Sequence, residues 1–435
     1  MVEFARSQYL EKLVSKMHDG RVKVITGIRR CGKSYLLFDL FVRYLHDAGV
    51  PDSNIIQLAL DDLSNIRYRN PFELDSYLRK RIKEVHGACY VLIDEIQFVA
   101  EMANPYVDGD AAKITFVDVL LGLMKIPGAD IYVTGSNSKM LSSDILTQFR
   151  DRGDEIRVFP LSYAEFREAY EGNPDDAWAE YWTYGGMPEA VSLPDHEDKS
   201  RYLRDLFRGT YLKDVVERHR VDNDMEVLDD LLDILASSVG SLTNPNRLSN
   251  TFMSDRKLRI NSATVARYLD YFEDAFLVYK AKRYNVKGNR YIQTPVKYYF
   301  SDVGLRNAKL GFRQQEETHI MENVLFCDLV RRGCDVDVGV IEQNAVDGQG
   351  RHVRKQLEVD FVVNRGSSRI YLQSALSIAD PDKRRQEIAS LVHIPDSFAK
   401  AVLVRDRIEP WRDDKGILYM GIEQFLLDDG MLGCI

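Results

Sequence analysis

Residues 27–34 read Gly27-Ile28-Arg29-Arg30-Cys31-Gly32-Lys33-Ser34. The spacing is GxxxxGK[ST]. Its surroundings are those the pattern needs, the β-branched run VKVIT (22–26) before it and the helical KSYLLFDLFVRYLHDAG (33–49) after it. Glycine at the bends lets successive backbone N–H groups curl around phosphate oxygens. The helix that begins near Lys33 aims its positive end at the same anion. On this reading Lys33 reaches the β- and γ-phosphates of a nucleoside triphosphate and Ser34 ligates its Mg²⁺. The whole stretch from Gly27 to Tyr35 lines the phosphate site.

Three more apolar runs read as strands: NIIQLAL (54–60), CYVLID (89–94) and DIYVTGS (130–136). The helical patterns FELDSYLRKRIKEVH (72–86) and ITFVDVLLGLMKI (114–126) separate them. Strands alternating with helices predict a parallel α/β sheet covered on both faces. The run at 89–94 ends in Asp94 and is followed by Glu95. Beside a phosphate loop, this assigns Asp94 to the Mg²⁺ shell and Glu95 to polarising the attacking water, with ATP as the expected nucleotide. The next strand ends in small polar residues. Asn137 is the candidate there to sense the γ-phosphate or the lytic water; the alternative is an Asn in a turn before the next helix. Arg150 and Arg152 precede a further predicted strand, IRVFPLS (156–162). They are candidates for an arginine offered across a subunit boundary. With Asp151 and Asp154 beside them they also read as a solvated loop. For Arg29 and Arg30, phosphate, a partner subunit and solvent all stay open.

Together with GIRRCGKS (27–34), the segments LIDEIQ (92–97), TGSNSKML (134–141), RVFPLSYAEF (157–166), YGGMPEA (184–190) and YLKDVV (211–216) carry a likeness. They resemble the prokaryotic AAA-type ATPases that join an N-terminal P-loop domain to a C-terminal DUF4143 domain. The resemblance implies an AAA+-like P-loop NTPase domain with a parallel α/β sheet at 1–165 and a helical region at 166–224. A winged-helix-like domain at 225–300 and an α/β C-terminal PD-(D/E)xK-like domain at 301–435 complete the expected division. It also implies ATP hydrolysis to ADP by a homo-oligomer, a hexamer among the forms, since AAA+ sites often lie between subunits.

In the middle of the chain, MEVLDDLLDILASSVG (225–240) reads as an amphipathic helix, and Asn261 or Ser262 caps a second one, SATVARYLDYFEDAFLV (262–278). Short helices followed by a strand pair are winged-helix grammar. The strip YKAKRYNVKGNRYIQTPVKYY (279–299) carries Lys280, Lys282, Arg283, Lys287, Arg290 and Lys297 and no acid. A Gly-Asn pair suits the tip of a hairpin there. A basic hairpin beside a capped helix reads as a clamp on the DNA backbone. The alternative is a solvated edge ribbon, with lysine guarding against aggregation.

Further on, Glu322 lies in a helical stretch, Glu358 and Asp360 in the strand LEVDFVV (357–363), and Gln373 in the strand RIYLQSAL (369–376). That order resembles a PD-(D/E)xK site, which gathers carboxylates for Mg²⁺ and uses a lysine to position water. Gln373-Ser374-Ala375 lacks both the second acid and the lysine, leaving Lys355 as the substitute. A degenerate, binding or structural module is therefore expected rather than an active nuclease.

Composition bounds these readings. The 435 residues are 45% hydrophobic and 29% charged, which excludes a disordered or collagen-like chain. No run approaches the roughly 18 apolar residues of a membrane span, and the N-terminal stretch has no apolar signal core. A cytoplasmic protein without a membrane partner is expected. The formal net charge of -9 argues against indiscriminate nucleic-acid coating and leaves a local basic surface possible. Five scattered cysteines without a CxxC pair predict reduced thiols and no zinc site. The expected function is a Mg²⁺-dependent ATPase whose oligomer acts on DNA. A nucleotide switch gating a protein partner and an ATP-driven nuclease are the alternatives.

Overall fold

A computed structural model describes residues 3–106, 113–135, 152–219, 221, 225–313, 316–346, 352–433 and 435. Asn137 and Arg150 lie outside the described residues. The chain divides into two compact units. One holds Glu3–Phe159 with Asp274–Phe276; the other holds Pro160–Glu273 and Leu277–Ile435.

The first unit is built on strands β1 (Val22–Thr26), β2 (Ile55–Ala59) and β3 (Cys89–Asp94), a two-stranded ladder of β4 (Met102–Ala103) and β5 (Lys113–Ile114), then β6 (Ala129–Gly135) and β7 (Gly153–Arg157). Five of these form one parallel sheet in the order β2-β3-β6-β1-β7. Every residue of β1 and β3 is buried, which is why they read as mostly apolar runs, the one cation of β1, Lys23, being paired with Asp130. The helices Pro71–Glu84 and Phe116–Leu123 bury Leu74, Leu78, Ile82, Val117, Leu120 and Leu123 in the same core. Each is capped by its own sequence. The Asn70 side chain accepts from the N–H groups of Phe72 and Glu73, and Thr115 and Asp118 form a reciprocal capping box.

The strand expected at 156–162 sits earlier. Strand β7 is Gly153–Arg157, and Val158 makes the last bond to the sheet, from its N–H to Thr26 O. Pro160 has no N–H to extend the ladder. As an edge strand β7 needs no continuous apolar run, and its sequence GDEIR has none.

The second unit opens with helices, including Tyr163–Ala169, Ala177–Tyr184 and His196–Leu206. The YGGMPEA segment is a packing junction in it. Gly186 O accepts from Leu161 N, and Gly186 N donates to Asp302 Oδ2 at 2.6 Å. Burial pushes the Asp302 carboxyl up to about 6. Its other oxygen caps the helix Val303–Lys309.

Helices Met225–Ser237, Pro245–Thr251 and Ser262–Asp274 lead to the hairpin β8 (Val278–Asn285) and β9 (Arg290–Phe300). Asn261 Oδ1 accepts from Ala263 N, so the cap is Asn261. Strand β8 then pairs in parallel with β10 (Asp335–Val346). The hairpin is thus one edge of an eight-stranded mixed sheet with β11 (His352–Arg365), β12 (Ser368–Ala375), β13 (Ala399–Val404), β14 (Trp411–Arg412) and β15 (Leu418–Gly421), in the order β14-β15-β13-β12-β11-β10-β8-β9. A division of the chain at 300 runs through that sheet. The physical reason is that an isolated two-stranded ribbon is marginal in water, and pairing with β10 secures it. Among the described residues no helix is long and apolar enough to cross a membrane.

Candidate nucleotide site

The loop after β1 takes the conformation its glycines allow. Gly27 has φ 141°, and a Cβ there would lie 2.0 Å from Val158 O. Gly32 has φ 96° and stands immediately before the helical turn Lys33–Tyr35. Arg30 is also left-handed, at φ 65°, and is exposed. The helix runs on to Asp47, with its middle, Leu36–Phe41, wound as a π-helix. Ile28 and Cys31 are buried at 2% and 0% exposure, so the loop is anchored by its apolar side chains. Lys33 is buried and donates to Gly27 O at 3.0 Å and Ile28 O at 3.1 Å. Its ammonium is thereby held over the loop rather than out in solvent. Tyr35 is half-buried on the first helical turn, and burial is the main cause that raises its phenol above the usual value.

Strand β6 lies between β1 and β3, which brings Thr134 beside the carboxylates. Thr134 Oγ1 donates to Asp94 Oδ1 and accepts from Glu95 N at 2.9 Å. The other Asp94 oxygen accepts from Ser34 Oγ at 2.8 Å. Two residues 60 positions apart, one from the loop and one from a strand tip, thus meet as a hydroxyl–carboxylate pair. Hard oxygen donors of this kind, few in number, suit Mg²⁺, which keeps waters and takes phosphate oxygens as its remaining ligands. Glu95 has a left-handed backbone (φ 54°, ψ 50°). Its carboxylate accepts from Gln97 Nε2. Sequence reasoning passed over Thr134 and Gln97. The signal for Thr134 was a hydroxyl at the tip of an otherwise apolar strand.

Arg152 is exposed at the amino end of β7, where its carbonyl accepts from Val22 N. The phosphate loop leaves the opposite end of β1, since Val22 pairs with Gly153 and Thr26 with Arg157. A strand of this length separates the two by about 16 Å, so Arg152 is not brought to the loop of its own chain. Arg29 is half-buried.

The chain is similar to an uncharacterized protein of Haemophilus influenzae, 31% identical over 433 residues and spanning 98% of both chains. It belongs to that protein's family. The family model described as an AAA domain matches residues 19–167, the stretch that holds the phosphate loop and the two carboxylates. A second relative, an uncharacterized protein of Methanocaldococcus jannaschii, is 26% identical over 95% of this chain and 86% of its own. Among solved structures, a Walker-type ATPase of Pyrococcus abyssi aligns with 71% of this chain and 96% of its own, at 15% identity and a TM-score of 0.48.

Beyond the AAA domain, the matching family model is a domain of unknown function, DUF8612, over residues 175–316. This corrects the DUF4143 likeness. YGGMPEA, one of the segments that carried it, lies inside the DUF8612 match, where Gly186 N donates to Asp302 Oδ2.

In the second unit, Glu322, Glu358 and Asp360 do come together, around Lys297, which is thereby corrected from a member of the basic strip to a buried counter-charge. Lys297 Nζ lies 2.7 Å from Glu322 Oε1 and 2.7 Å from Glu358 Oε1. Tyr299 OH also donates to Glu322 Oε1 at 2.5 Å. Asp360 accepts from Gln373 Nε2, Ser374 N and Ser374 Oγ. Burial, then the charge of Glu322, pushes its carboxyl up to about 7. The ammonium occupies the place between the carboxylates that a divalent cation would need. Lys355 is exposed on β11 and takes no part. Among the described residues no group of three or more His, Cys, Asp or Glu is placed to hold a metal.

The basic strip is divided by the pleat of its hairpin. Lys280, Lys282, Lys287 and Arg290 are exposed, whereas Arg283 is buried and donates to Gln356 Oε1 at 3.0 Å. Arg283 is thus corrected from a surface contact to an internal one, because successive strand residues face opposite sides. A cavity of about 620 Å³ at the hairpin tip is lined by Asn285, Lys287, Gly288, Arg290, Glu342, Gln343 and His393.

Proposed function

We propose that this AAA-type protein is a Mg²⁺-dependent ATPase whose hydrolysis drives an oligomer acting on DNA. The observation that carries the first half is the Ser34–Asp94 contact of 2.8 Å at the mouth of the phosphate loop. In this reading the loop N–H groups from Ile28 to Ser34 bind the phosphates. Lys33 exchanges its two loop carbonyls for phosphate oxygens, which its three N–H donors can do without moving the stem far. Ser34 and Asp94 would hold Mg²⁺, which when bound neutralises phosphate charge. Glu95, released from Gln97, takes the proton of the attacking water. Asn137 is proposed as the γ-phosphate sensor, and Arg150 and Arg152 as groups offered to a neighbouring copy, consistent with the distance of Arg152 from its own loop. Phosphate release from ATP by the purified protein is the test. Turnover is expected with Mg²⁺ and lost with EDTA. Calorimetry showing no heat on titration with magnesium nucleotide would overturn the proposal.

The DNA half rests on the exposed face of the β8–β9 hairpin. Lys280, Lys282, Lys287 and Arg290 would contact backbone phosphates there, in a chain whose net charge is -9. Changing Lys282, Lys287 and Arg290 together to glutamate is expected to abolish duplex binding. If each contacts one phosphate, single neutralisations flatten the slope of log affinity against log salt by about 0.9 each. Fluorescence anisotropy across a salt series reads both effects. Unchanged binding by the triple variant would take the DNA contact off this hairpin, and a wild type that binds no duplex would favour the reading as a nucleotide switch for a protein partner. Leu63, Ile66, Phe72 and Phe98, apolar and exposed on the AAA domain, favour that second reading.

A further inference from the structure

We propose that Arg6 is a positioning residue of the nucleotide site, setting the direction of the Gly32 N–H through the carbonyl of Cys31. This rests on the ATPase reading and concerns a residue outside the phosphate-loop motif.

Arg6 is a cation only 2% exposed, and it stands just before the helix Ser7–Ser15 in a left-handed conformation (φ 47°, ψ 31°). An L-residue adopts that backbone at a cost, and such outliers persist where the surroundings over-determine them. What determines this one is the phosphate loop. Arg6 Nη2 donates to Cys31 O at 2.6 Å and to Phe159 O at 2.5 Å. The guanidinium carbon lies 4.9 Å from the centre of the Tyr9 ring. Tyr9 OH in turn accepts from Phe159 N at 3.2 Å. One nitrogen therefore ties the loop after β1 to the chain leaving β7, and an aromatic ring holds the guanidinium in place.

The consequence follows from peptide geometry. The Cys31–Gly32 peptide is planar and trans, so its C=O and its N–H point in opposite directions. Anchoring the carbonyl of Cys31 on the Arg6 side fixes the Gly32 N–H toward the other side. Gly32 itself cannot fix that plane, since it has the widest backbone freedom of any residue. Burial of the Cys31 side chain anchors the loop, but its Sγ donates only weakly, to Val158 O at 3.4 Å, and leaves the orientation of the peptide plane to the carbonyl's own partner. A charged donor aligned with the carbonyl also polarises the peptide and makes the opposite N–H a better donor to an anion. Arg6 thus acts on bound phosphate without touching it.

The variant R6M keeps the apolar stem over Tyr9 and removes both donors. Calorimetric titration with magnesium ADP and magnesium ATP, well below the melting temperature of each protein, is expected to show affinity about tenfold weaker for both nucleotides. This is the scale of one lost hydrogen bond to a charged group. Free guanidinium ion added to R6M should restore part of that affinity, which a purely structural defect would not show. A folded R6M that binds within twofold of wild type overturns the proposal, and so does weakened binding that guanidinium leaves unmoved. If R6M does not fold, R6K is read in the same way, since its single ammonium lacks the planar fork and the ring stacking. K33A run alongside separates the two levels. If K33A also binds nucleotide like wild type, the ATPase reading has failed; if K33A loses binding while the Arg6 variants keep it, only the role of Arg6 has.

Discussion

E95Q is expected to bind ATP as tightly as the wild type and to hydrolyse it about 10²–10⁴-fold more slowly. The amide keeps the size of the side chain, so the left-handed backbone at position 95 and the bond from its N–H to Thr134 Oγ1 persist. What is lost is an oxygen able to take a proton. K33A is expected to fail earlier, with nucleotide binding weakened roughly 10–100-fold, because Lys33 is the buried cation of the loop. The two variants therefore separate chemistry from binding. Single-turnover hydrolysis and equilibrium binding, measured on the same preparations, give both numbers. An E95Q protein that turns over at the wild-type rate would move the base elsewhere and leave Glu95 as a turn residue held by Gln97.

The second large effect concerns folding. K297M should destabilise the second unit by about 3–5 kcal/mol, because removing one partner of a buried ion pair strands the others. Lys297 is 3% exposed and serves Glu322 and Glu358 at once. Burial alone would lower its pKa. The three carboxylates Glu322, Glu358 and Asp360 outweigh that and raise it, so the ammonium stays charged. The double variant K297M/E322Q should recover part of the loss, since a neutral pair needs no counter-charge. Chemical denaturation of the wild type, K297M, E322Q and the double variant closes the cycle. A K297M protein as stable as the wild type would mean that the carboxylates are solvated or protonated and that the lysine is incidental. The same geometry bears on the nuclease alternative, because a lysine already neutralises the cluster where a metal would sit.

The AAA domain is largely legible in its sequence. Strands β1 and β3 coincide with VKVIT and CYVLID, and β2 and β6 fall within a residue of their predicted ends. The inner strands β1, β3 and β6 are buried almost throughout, so each is written as a mostly apolar run, and the chemistry follows at their ends; edge strand β2 keeps an apolar pattern broken only by the exposed Gln57. Edge strand β7 was misplaced for the complementary reason: a strand with one partner and one wet side carries no such run. Arg283 shows the limit in the basic strip, where composition counts charges but cannot say which face of the pleat each occupies.

Local order in the chain was enough to specify a glycine-flanked loop between strand and helix, because every part of that device lies within a few residues of the next. Which distant groups complete it could be settled only by packing. Arg6 reaches Cys31 across 25 positions, Ser34 meets Asp94 across 60, and Lys297 finds Glu322 across 25. Hydrogen bonds and ion pairs act over about 3 Å whatever the separation along the chain, so partners like these become visible only when strand order and register place them side by side.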